Sequence, residues 1–285
     1  MKVLVTGATG YIGAHFVKAM AERGHEVTGT DVRTDQNDIS KYVSNFFQWD
    51  ILEREKGPVL FDKVVHLAAK TKVNLSMKNP WLYYQTNQQG TKNVIDAFEY
   101  DHFIYCSTGS AFNPDCSPYS ASKLAGEYIT KQFCPDYTIA RFYNVSGNDG
   151  FNKYDYEHFH LIRKAAATAN GVYEKMTING TDYDTRDGTC IRNYTHVTDI
   201  VNGLVRATEA EPRNNDWDCL GTTEGVTVRE VIDTMKKVSG VDFKVEEVGR
   251  RAGDAPVSTI PYSSDFFELT KTLEDQCIDA LKVEK

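Results

Sequence analysis

The chain has 285 residues, of which 41% are hydrophobic and 12% aromatic, a composition typical of a folded globular protein rather than a disordered one. Its 32 basic and 40 acidic residues give a net charge of −8, which argues against nucleic acid or an anionic membrane as a partner. No apolar run approaches the roughly 20 residues of a membrane span, and the opening MKVLVTGATG reaches glycine too early for a signal peptide. We therefore expect a soluble, cytoplasmic protein.

Short β-rich runs alternate with helical patterns through the first half of the chain, which predicts a parallel sheet with helices on both faces. The predicted strands are Lys2–Val5, Glu26–Thr30, Asn45–Trp49, Lys63–Leu67, His102–Cys106 and Tyr137–Arg141. The predicted helices are Tyr11 to about Glu22, Asn79–Tyr100 and Pro118 to about Gln132. This alternation predicts a Rossmann-type, doubly wound α/β fold.

After Asn144 the pattern becomes more irregular, and we interpret it as a smaller α/β domain interleaved with the first. Loops are predicted at Asn148–Asp155 and Thr181–Asp187, and helices at His158–Ala169, Tyr194–Glu209, Val226–Val238 and Leu273–Val283. The first domain is predicted to hold residues 1–144 with about 188–212, and the second to hold about 145–187 and 213–285.

Metal-binding motifs are weak in this sequence. Six cysteines are scattered without a C-x-x-C pair, so we expect reduced, buried thiols rather than a zinc ribbon. A calcium-loop pattern that starts at Asp182 has its third ligand out of register, and the rings of His158 and His160 diverge at a spacing of two on a helix. The sequence therefore predicts no metal site.

The strongest local signal follows the first strand, where the pattern T-G-x-x-G-x-x-G opens the first helix. Gly7 allows the tight turn, Gly10 lets the backbone approach a diphosphate, and Gly13 lets the helix pack closely on the sheet. The free N–H groups at the helix start, beside Tyr11 and Ile12, favour phosphate oxygens. The spacing predicts a turn that binds a dinucleotide.

The second predicted strand indicates which dinucleotide is preferred. Asp31 stands 18 residues after Gly13, and a carboxylate there accepts hydrogen bonds from both adenosine ribose hydroxyls while it repels a 2′-phosphate. We therefore expect NAD rather than NADP. Arg33 works against this preference, because its charge partly neutralises a 2′-phosphate.

A tyrosine and a lysine stand one turn apart on the helix that begins at Pro118. Tyr119 and Lys123 share a helix face, and an ammonium beside a phenol favours the phenolate, which makes the tyrosine a general base. Ser107 and Thr108 close the preceding strand, at the sheet edge where ligands bind in such folds. We expect Tyr119 to take a hydroxyl proton, Lys123 to lower its pKa, and a strand-end hydroxyl to bond the reacting oxygen.

With these motifs in one chain, the sequence resembles the extended short-chain dehydrogenase/reductase family over nearly its whole length. It looks most like the NAD-dependent nucleotide-sugar epimerases, and among them the UDP-hexose 4-epimerases of the glucose/galactose type. The resemblance implies that the first domain binds NAD and the second binds the nucleotide sugar. It assigns catalysis to Tyr119, Lys123 and Thr108.

The resemblance also assigns binding residues to both domains. It implies cofactor contacts from Gly7, Gly10, Tyr11, Ile12, Gly13, Asp31, Asp50, Ile51, Leu67, Ala68, Ala69, Asn87, Tyr119, Lys123 and Tyr143. It implies substrate contacts from Thr108, Asn144, Thr177, Ile178, Asn179, Arg192, Arg251 and Asp254. Two arginines suit a diphosphate, because each guanidinium can bond its oxygens bidentately.

The segment after Thr108 separates reactions within the family. Related 4,6-dehydratases carry acidic residues where this chain has Gly109 and Ser110, so the acid that drives elimination is missing and 4-epimerisation through a transient 4-keto sugar is favoured. Only ten residues separate Thr108 from Tyr119, and Phe112 stands where the family has a tyrosine. Both departures leave the sugar selectivity open.

Two other functions stay open at this point. A nucleotide-sugar 4-ketoreductase on the same fold would consume reduced cofactor stoichiometrically, whereas a non-catalytic NAD-binding protein would turn over nothing. The resemblance further implies a homodimer formed through a four-helix bundle that includes the Tyr119 helix.

Overall fold

The computed structural model describes residues 1–34, 39–53, 59–149, 151, 160–214, 216–251 and 254–283. The chain divides into two compact units, Met1–Arg141 with Val201–Cys219 and Phe142–Ile200 with Leu220–Lys285. The return to the first unit therefore begins at Val201, inside a helix, whereas the sequence placed it at about residue 188.

Strands and helices alternate in the first unit. Its strands are β1 (Lys2–Thr6), β2 (Glu26–Asp31), β3 (Asn45–Gln48), β4 (Leu60–His66), β5 (Glu99–Thr108) and β6 (Tyr137–Phe142). Its helices are α1 (Tyr11–Glu22), α2 (Val73–Lys78), α3 (Pro80–Tyr84), α4 (Gly90–Ala97) and α5 (Pro118–Phe133), with a π-helical turn at Gln85–Gln89 between α3 and α4.

A parallel sheet forms the centre of the first unit, as predicted, and it has seven strands, one more than the six predicted from the sequence. A late strand, Asp218–Cys219, pairs with β6 and completes the strand order: late strand, β6, β5, β4, β1, β2, β3. The chain runs outward from β1 to β3 and then resumes at β4 on the other side of β1. The carboxyl ends of β1 and β4 therefore flank the switch point of the sheet, which is the place where open α/β sheets bind ligands.

The prediction of one long helix over Asn79–Tyr100 is wrong in two respects, because the helix is interrupted and it ends before Glu99. Pro80 starts α3 after Asn79, whose φ of −139° is not helical, and the π-helical turn then interrupts the helix. Glu99 and Tyr100 already belong to β5. Buried residues recur at helical spacing from Tyr83 through Asn87 and Thr91 to Val94, so the π-helical turn leaves no mark in the periodicity.

The described residues of the second unit form short strands, three helices and the first turn of a fourth helix. Its strands are β7 (Asn144–Ser146), β8 (Lys175–Asn179), β9 (Ile191–Arg192), β10 (Tyr194–His196), β12 (Val226–Thr227), β13 (Lys244–Val248) and β14 (Val257–Ser258). The label β11 is kept for the late strand of the first unit, Asp218–Cys219. The helices of the second unit are α6 (Leu161–Ala169), α8 (Val228–Ser239) and α9 (Leu273–Val283), and α7 (Val197–Glu209) crosses into the first unit.

The core of the second unit lies where α6, α8 and α9 pack together. Met176, Ile178 and Met235 are among its buried side chains. Thr227 and Glu230 form a capping box at the start of α8, and Gly240 ends the helix at φ +69°, the left-handed conformation that favours glycine. The predicted helix termini at Gly240 and at Leu273–Val283 are confirmed.

The prediction of a helix over Tyr194–Glu209 is wrong at its start. Tyr194–His196 forms β10, which pairs in parallel with β7, and the helix begins only at Val197. An aromatic and a β-branched residue lead this segment, and both favour strands. Most of the predicted loop Asn148–Asp155, together with His158, lies outside the described residues. Within the part of the chain that is described, no helix is long and apolar enough to cross a membrane.

Candidate functional site

The glycine turn between β1 and α1 has the geometry that its sequence requires. Gly7 has φ +69°, and a Cβ on it would lie 2.8 Å from the backbone nitrogen of Ala68 at the end of β4. A Cβ on Gly13 would lie 2.1 Å from the carbonyl oxygen of Gly7, so the helix start fits only against glycine. Tyr11 and Ile12 are the first two residues of α1. The first N–H groups of a helix lie outside its own ladder of hydrogen bonds and can serve a bound anion.

Gly10 provides the space that a dinucleotide needs at this turn. A Cβ on Gly10 would meet the Gly7 carbonyl at 3.0 Å and the Arg33 guanidinium at 3.7 Å. A side chain at this position would therefore fill the approach to the helix start. The turn fits the diphosphate of NAD, whose charge the helix N-terminus would stabilise.

Asp31 ends β2 with its carboxylate held on several sides. Its oxygens accept hydrogen bonds from the Thr9 hydroxyl at 2.8 Å, the Thr9 backbone N–H at 3.2 Å and the Arg33 guanidinium at 3.3 Å. The carboxylate is buried, whereas the arginine is about one-third exposed. Asp31 therefore neutralises Arg33, which weakens the attraction that we expected between Arg33 and a 2′-phosphate.

Other predicted cofactor residues serve the fold as well. The Asn87 side chain accepts a hydrogen bond from the Lys70 N–H at 2.8 Å and donates one to the Lys70 carbonyl at 3.0 Å. These two bonds fix the segment after β4. Ile51 is buried, and its side chain would meet a Cβ on Gly90 at 2.6 Å. Asp50 accepts a hydrogen bond from the Leu52 N–H at 2.9 Å. Any contact of these residues with a cofactor adds to these structural roles.

The end of β4 carries the segment of Leu67, Ala68 and Ala69, all partly buried. Its backbone is tied to β1, because the Leu67 N–H bonds the Thr6 carbonyl and the Ala68 N–H bonds the Thr6 hydroxyl, each at 3.2 Å. His66 is buried between the hydroxyls of Thr6 and Thr91. Burial lowers the pKa of His66 to about 3, so the imidazole is neutral at this edge.

Thr108 and Tyr119 meet where β5 ends and α5 begins. Ser117 caps α5 by accepting a hydrogen bond from the Ser120 N–H at 3.1 Å, and Pro118 occupies the first turn. This start places the Tyr119 phenol beside the Thr108 side chain, which lowers the pKa of the phenol. The structure therefore brings together the two hydroxyls that the sequence assigned to the reacting oxygen.

Lys123 is buried one turn further along α5, with its Nζ 4.2 Å above the ring of Tyr105. Burial lowers the pKa of this ammonium to about 8. Burial also raises the pKa of Tyr119, and the Thr108 side chain opposes that rise. The lowering of this pKa that we expect from Lys123 together with the oxidised cofactor stays a prediction.

Sequence reasoning missed a buried ion pair next to these residues. The Arg141 guanidinium on β6 donates to the Glu127 carboxylate on α5, with Nε to Oε1 at 2.7 Å. Ser107 donates its hydroxyl to the same carboxylate. Phe112, which we expected near the sugar, instead packs on Arg141, 4.3 Å from ring centroid to guanidinium carbon. The available signal was Glu127 itself, which repeats the spacing of four from Lys123 on one helix face.

In the second unit, the residues predicted to bind a diphosphate lie around Asp254. Arg251 donates to both carboxylate oxygens of Asp254, at 2.8 and 3.0 Å, and Arg192 lies 3.8 Å from one of them. The Arg251 side chain is 68% exposed, so its guanidinium is accessible. The structure thus brings together three of the predicted substrate residues.

Asn144 stands at the start of β7 and donates its amide to the Asn193 carbonyl at 2.9 Å. Asn193 is buried and donates to the carbonyls of Thr222 and Glu224, at 2.7 and 2.8 Å. Tyr143 donates its hydroxyl to the Thr259 carbonyl at 3.1 Å. These bonds fix the backbone on either side of Arg192.

Thr177, Ile178 and Asn179 form the end of β8, which pairs in parallel with β13. Ile178 is buried in the core, so only its backbone is available to a ligand, while Asn179 is exposed. Ala252 and Gly253, which stand between the predicted substrate residues Arg251 and Asp254, lie outside the described residues. Among the residues that are described, no cluster of three or more ligating side chains suits a metal.

The comparisons with known proteins agree with this arrangement. The model of the family described as NAD dependent epimerase/dehydratase matches residues 3–219. The UDP-glucose 4-epimerase of Halalkalibacterium halodurans is 31% identical over 92% of this chain and 87% of its own. The solved UDP-Glc/GlcNAc 4-epimerase of Campylobacter jejuni is 32% identical, with a TM-score of 0.77 over 99% of this chain and 98% of that one.

A third similar protein was solved with its cofactor. The UDP-glucose 4-epimerase of Brucella ovis in complex with NAD has a TM-score of 0.83 and 26% identity, over 99% of this chain and 98% of that one. The chain therefore belongs to the NAD-dependent epimerase/dehydratase family. The predicted family, the Rossmann-type fold, the enzymatic nature of the protein and NAD as its cofactor are confirmed.

The glycine turn yields the first prediction. Gly13→Ala should raise the dissociation constant for NAD by at least about tenfold, an effect of about 1.4 kcal/mol, because the new Cβ would push α1 away from Gly7. Gly249→Ala is the matched control, since a Cβ there meets nothing within 4 Å. Titration with NAD followed by calorimetry measures both variants. Equal affinities would remove Gly13 from the cofactor site.

Proposed function

We propose that the protein is an NAD-dependent 4-epimerase of nucleotide-diphosphate hexoses, of the UDP-glucose/UDP-galactose type. The observation that carries this proposal is the Thr108 side chain beside the Tyr119 phenol, with Lys123 one turn away on the same helix. The relatives at 31% and 32% identity, which are named as 4-epimerases of UDP-sugars, support the reaction and the substrate class.

Each catalytic side chain has a distinct task in this reaction. The Tyr119 phenolate oxygen takes the proton of the sugar 4-hydroxyl, while the Thr108 hydroxyl bonds the same oxygen and holds it in line. NAD, held by the glycine turn and by Lys123, would supply an acceptor for hydride from the sugar C4 and a donor for its return to the opposite face. Tyr119 then gives the proton back to the 4-oxygen, so that no net oxidation occurs.

Lys123 supplies a positive charge and a donor beside the cofactor ribose. Because burial lowers its pKa to about 8, it carries its proton at neutral pH and loses it above that value. A charged Lys123 is needed to bind the cofactor ribose, and it favours the Tyr119 phenolate once the cationic cofactor is present. Activity should therefore fall on the alkaline side of about pH 8.

The second unit supplies the groups that hold the nucleotide. Arg192 and Arg251 bond the diphosphate oxygens, Asn144 contributes its amide, and Asp254 accepts hydrogen bonds from the nucleoside ribose. The backbone at Thr177–Asn179 receives the base. The partly exposed guanidinium groups around Asp254 support these roles.

The residues after Thr108 favour epimerisation over elimination. Ser110 turns back onto Thr108, with its N–H 3.2 Å and its hydroxyl 3.1 Å from the Thr108 oxygen. Neither Gly109 nor Ser110 offers an acid for the loss of water, and Asp115 sits on the exposed turn Pro114–Cys116. This supports a product that keeps the sugar 6-hydroxyl.

The oligomeric state and the compartment complete the proposal. Trp81 on α3 and Tyr128 on α5 leave 68% and 63% of their surfaces exposed, and large exposed aromatics on a helix pair favour association. We propose a homodimer that buries this face. The six free thiols support a reducing, cytoplasmic location.

Tyr119→Phe tests the catalytic assignment. Turnover of UDP-galactose to UDP-glucose should fall by about 10²- to 10⁴-fold, because a positioned base is lost. Tyr128→Phe, on the same helix but exposed, is the matched control and should keep full activity. No reductant is added, so a 4-ketoreductase would give no product. If the unaltered protein interconverted none of the UDP- or dTDP-hexoses, that result would refute the proposed function.

Tyr128→Glu tests the association proposal. A charge on the exposed face should shift the mass measured by light scattering from that of two chains to that of one, because a buried carboxylate at an interface is costly. Lys282→Glu, whose side chain is 68% exposed, is the control. A single-chain mass for the unaltered protein at all concentrations would contradict the dimer.

A further inference from the structure

Behind Thr108 lies a chain of buried polar side chains that takes no direct part in the proposed reaction. Ser107, the penultimate residue of β5, donates its hydroxyl to the Glu127 carboxylate on α5. Arg141 on β6 donates its Nε to the same oxygen at 2.7 Å. The exposed fractions of Ser107, Glu127 and Arg141 are 3%, 1% and 2%. The network therefore joins two strands to the helix that carries Tyr119.

Two aromatic rings pack against the arginine of this network. The guanidinium carbon of Arg141 lies 4.3 Å from the ring centroids of both Phe112 and Trp217. The two rings meet edge to face with centroids 5.2 Å apart. Phe112 belongs to the ten-residue segment between Thr108 and Tyr119, so Arg141 also anchors that segment.

The face of α5 that carries Glu127 is the face that carries the proposed catalytic pair. Glu127 follows Lys123 by four residues and Tyr119 by eight, so the three side chains are stacked along one side of the helix. A second tie runs from the Tyr105 hydroxyl to the Lys123 carbonyl at 3.2 Å. Both ties join α5 to β5 within three residues of Thr108.

We propose that Glu127, held by Arg141 and bonded to Ser107, is a positioning residue that fixes the Thr108 hydroxyl against the Tyr119 phenol. For its effect on turnover the proposal rests on the proposed function, whereas its geometry stands by itself. A hydrogen bond between two side chains on different elements survives only if the elements keep their spacing. The Ser107–Glu127 bond sets that spacing one residue away from Thr108.

The charge of Glu127 adds to its positional role. The titratable groups that act on Lys123 come from the strand beneath it and from its own helix, and both Cys106 and Glu127 raise its pKa against the effect of burial. His66 on β4 is neutral and adds no charge. Glu127 therefore helps Lys123 to keep its proton at neutral pH.

A purely structural ion pair would behave differently from a positioning residue. Buried ion pairs contribute little net stability, because the cost of removing both charges from water offsets their attraction. If Glu127 served stability alone, loss of the Ser107 bond would change the melting temperature and leave turnover and its pH profile as they are. Turnover and its pH profile therefore distinguish a positioning residue from a purely structural ion pair.

Ser107→Ala tests the positional role, because it removes one hydroxyl and leaves the ion pair intact. We expect kcat to fall by about 10- to 100-fold with KM little changed, since a misplaced catalytic pair loses rate rather than binding. Thr130→Val is the matched control: it removes a buried hydroxyl from α5 that bonds only the helix carbonyl of Gly126 at 2.9 Å. Equal kcat values for the two variants would overturn the proposal.

Glu127→Gln tests the charge without requiring turnover. In the NAD-bound protein, NMR titration of ¹³C-labelled lysine should show the pKa of Lys123 moving to lower pH, and the alkaline limb of kcat should follow it. Should this variant not fold, Glu127→Gln combined with Arg141→Met removes both charges and carries the same expectation. An unchanged Lys123 titration would contradict the charge role, even if the unaltered protein epimerised nothing.

Discussion

The proposed chemistry depends on the placement of the Tyr119 phenol beside the Thr108 side chain. A phenol placed at a dry sheet edge becomes a weaker acid, because desolvation penalises its anion more than its neutral form. Burial does raise the pKa of Tyr119, and the Thr108 hydroxyl opposes that effect. The protein therefore supplies the geometry of the base by itself, while the charge that completes its activation must include that of the bound cofactor.

The fold brings Thr108 and Tyr119 to the sheet edge at which we propose that the cofactor binds. The glycine turn follows β1 and the Ala68 segment follows β4, on the two strands that flank the switch point of the sheet. Thr108 ends β5, the next strand along. The carboxyl ends of parallel strands share one edge, so cofactor turn and catalytic hydroxyl are brought to one place by topology.

The sequence was informative wherever residue type and backbone geometry are linked directly. Gly7 and Gly13 predicted the turn correctly, because only glycine fits the contacts found there. The Tyr119 helix was predicted within one residue at its end, since Ser117 and Pro118 form a strong start signal. The π-helical turn between α3 and α4 was not predictable from the spacing of buried residues, which continues through it.

Electrostatics and buried pairing were the parts that the sequence could not supply. The effect of Lys123 on Tyr119 depends on how much water the fold removes from both groups, which spacing alone does not report. Glu127 and Arg141 stand 14 residues apart and come together because α5 packs on β5, the strand beside β6. Phe112 was placed by analogy near the sugar, whereas the attraction of its ring for the guanidinium moves it onto Arg141.

The most direct test of the account follows the hydrogen at the sugar C4. UDP-galactose deuterated at C4 should be converted to UDP-glucose that keeps the deuterium at C4, with no reduced nicotinamide added or accumulated. That result requires Tyr119 to move only the hydroxyl proton while the carbon-bound hydrogen stays within the protein. Loss of the deuterium to water, or product formed only with added reductant, would contradict the account.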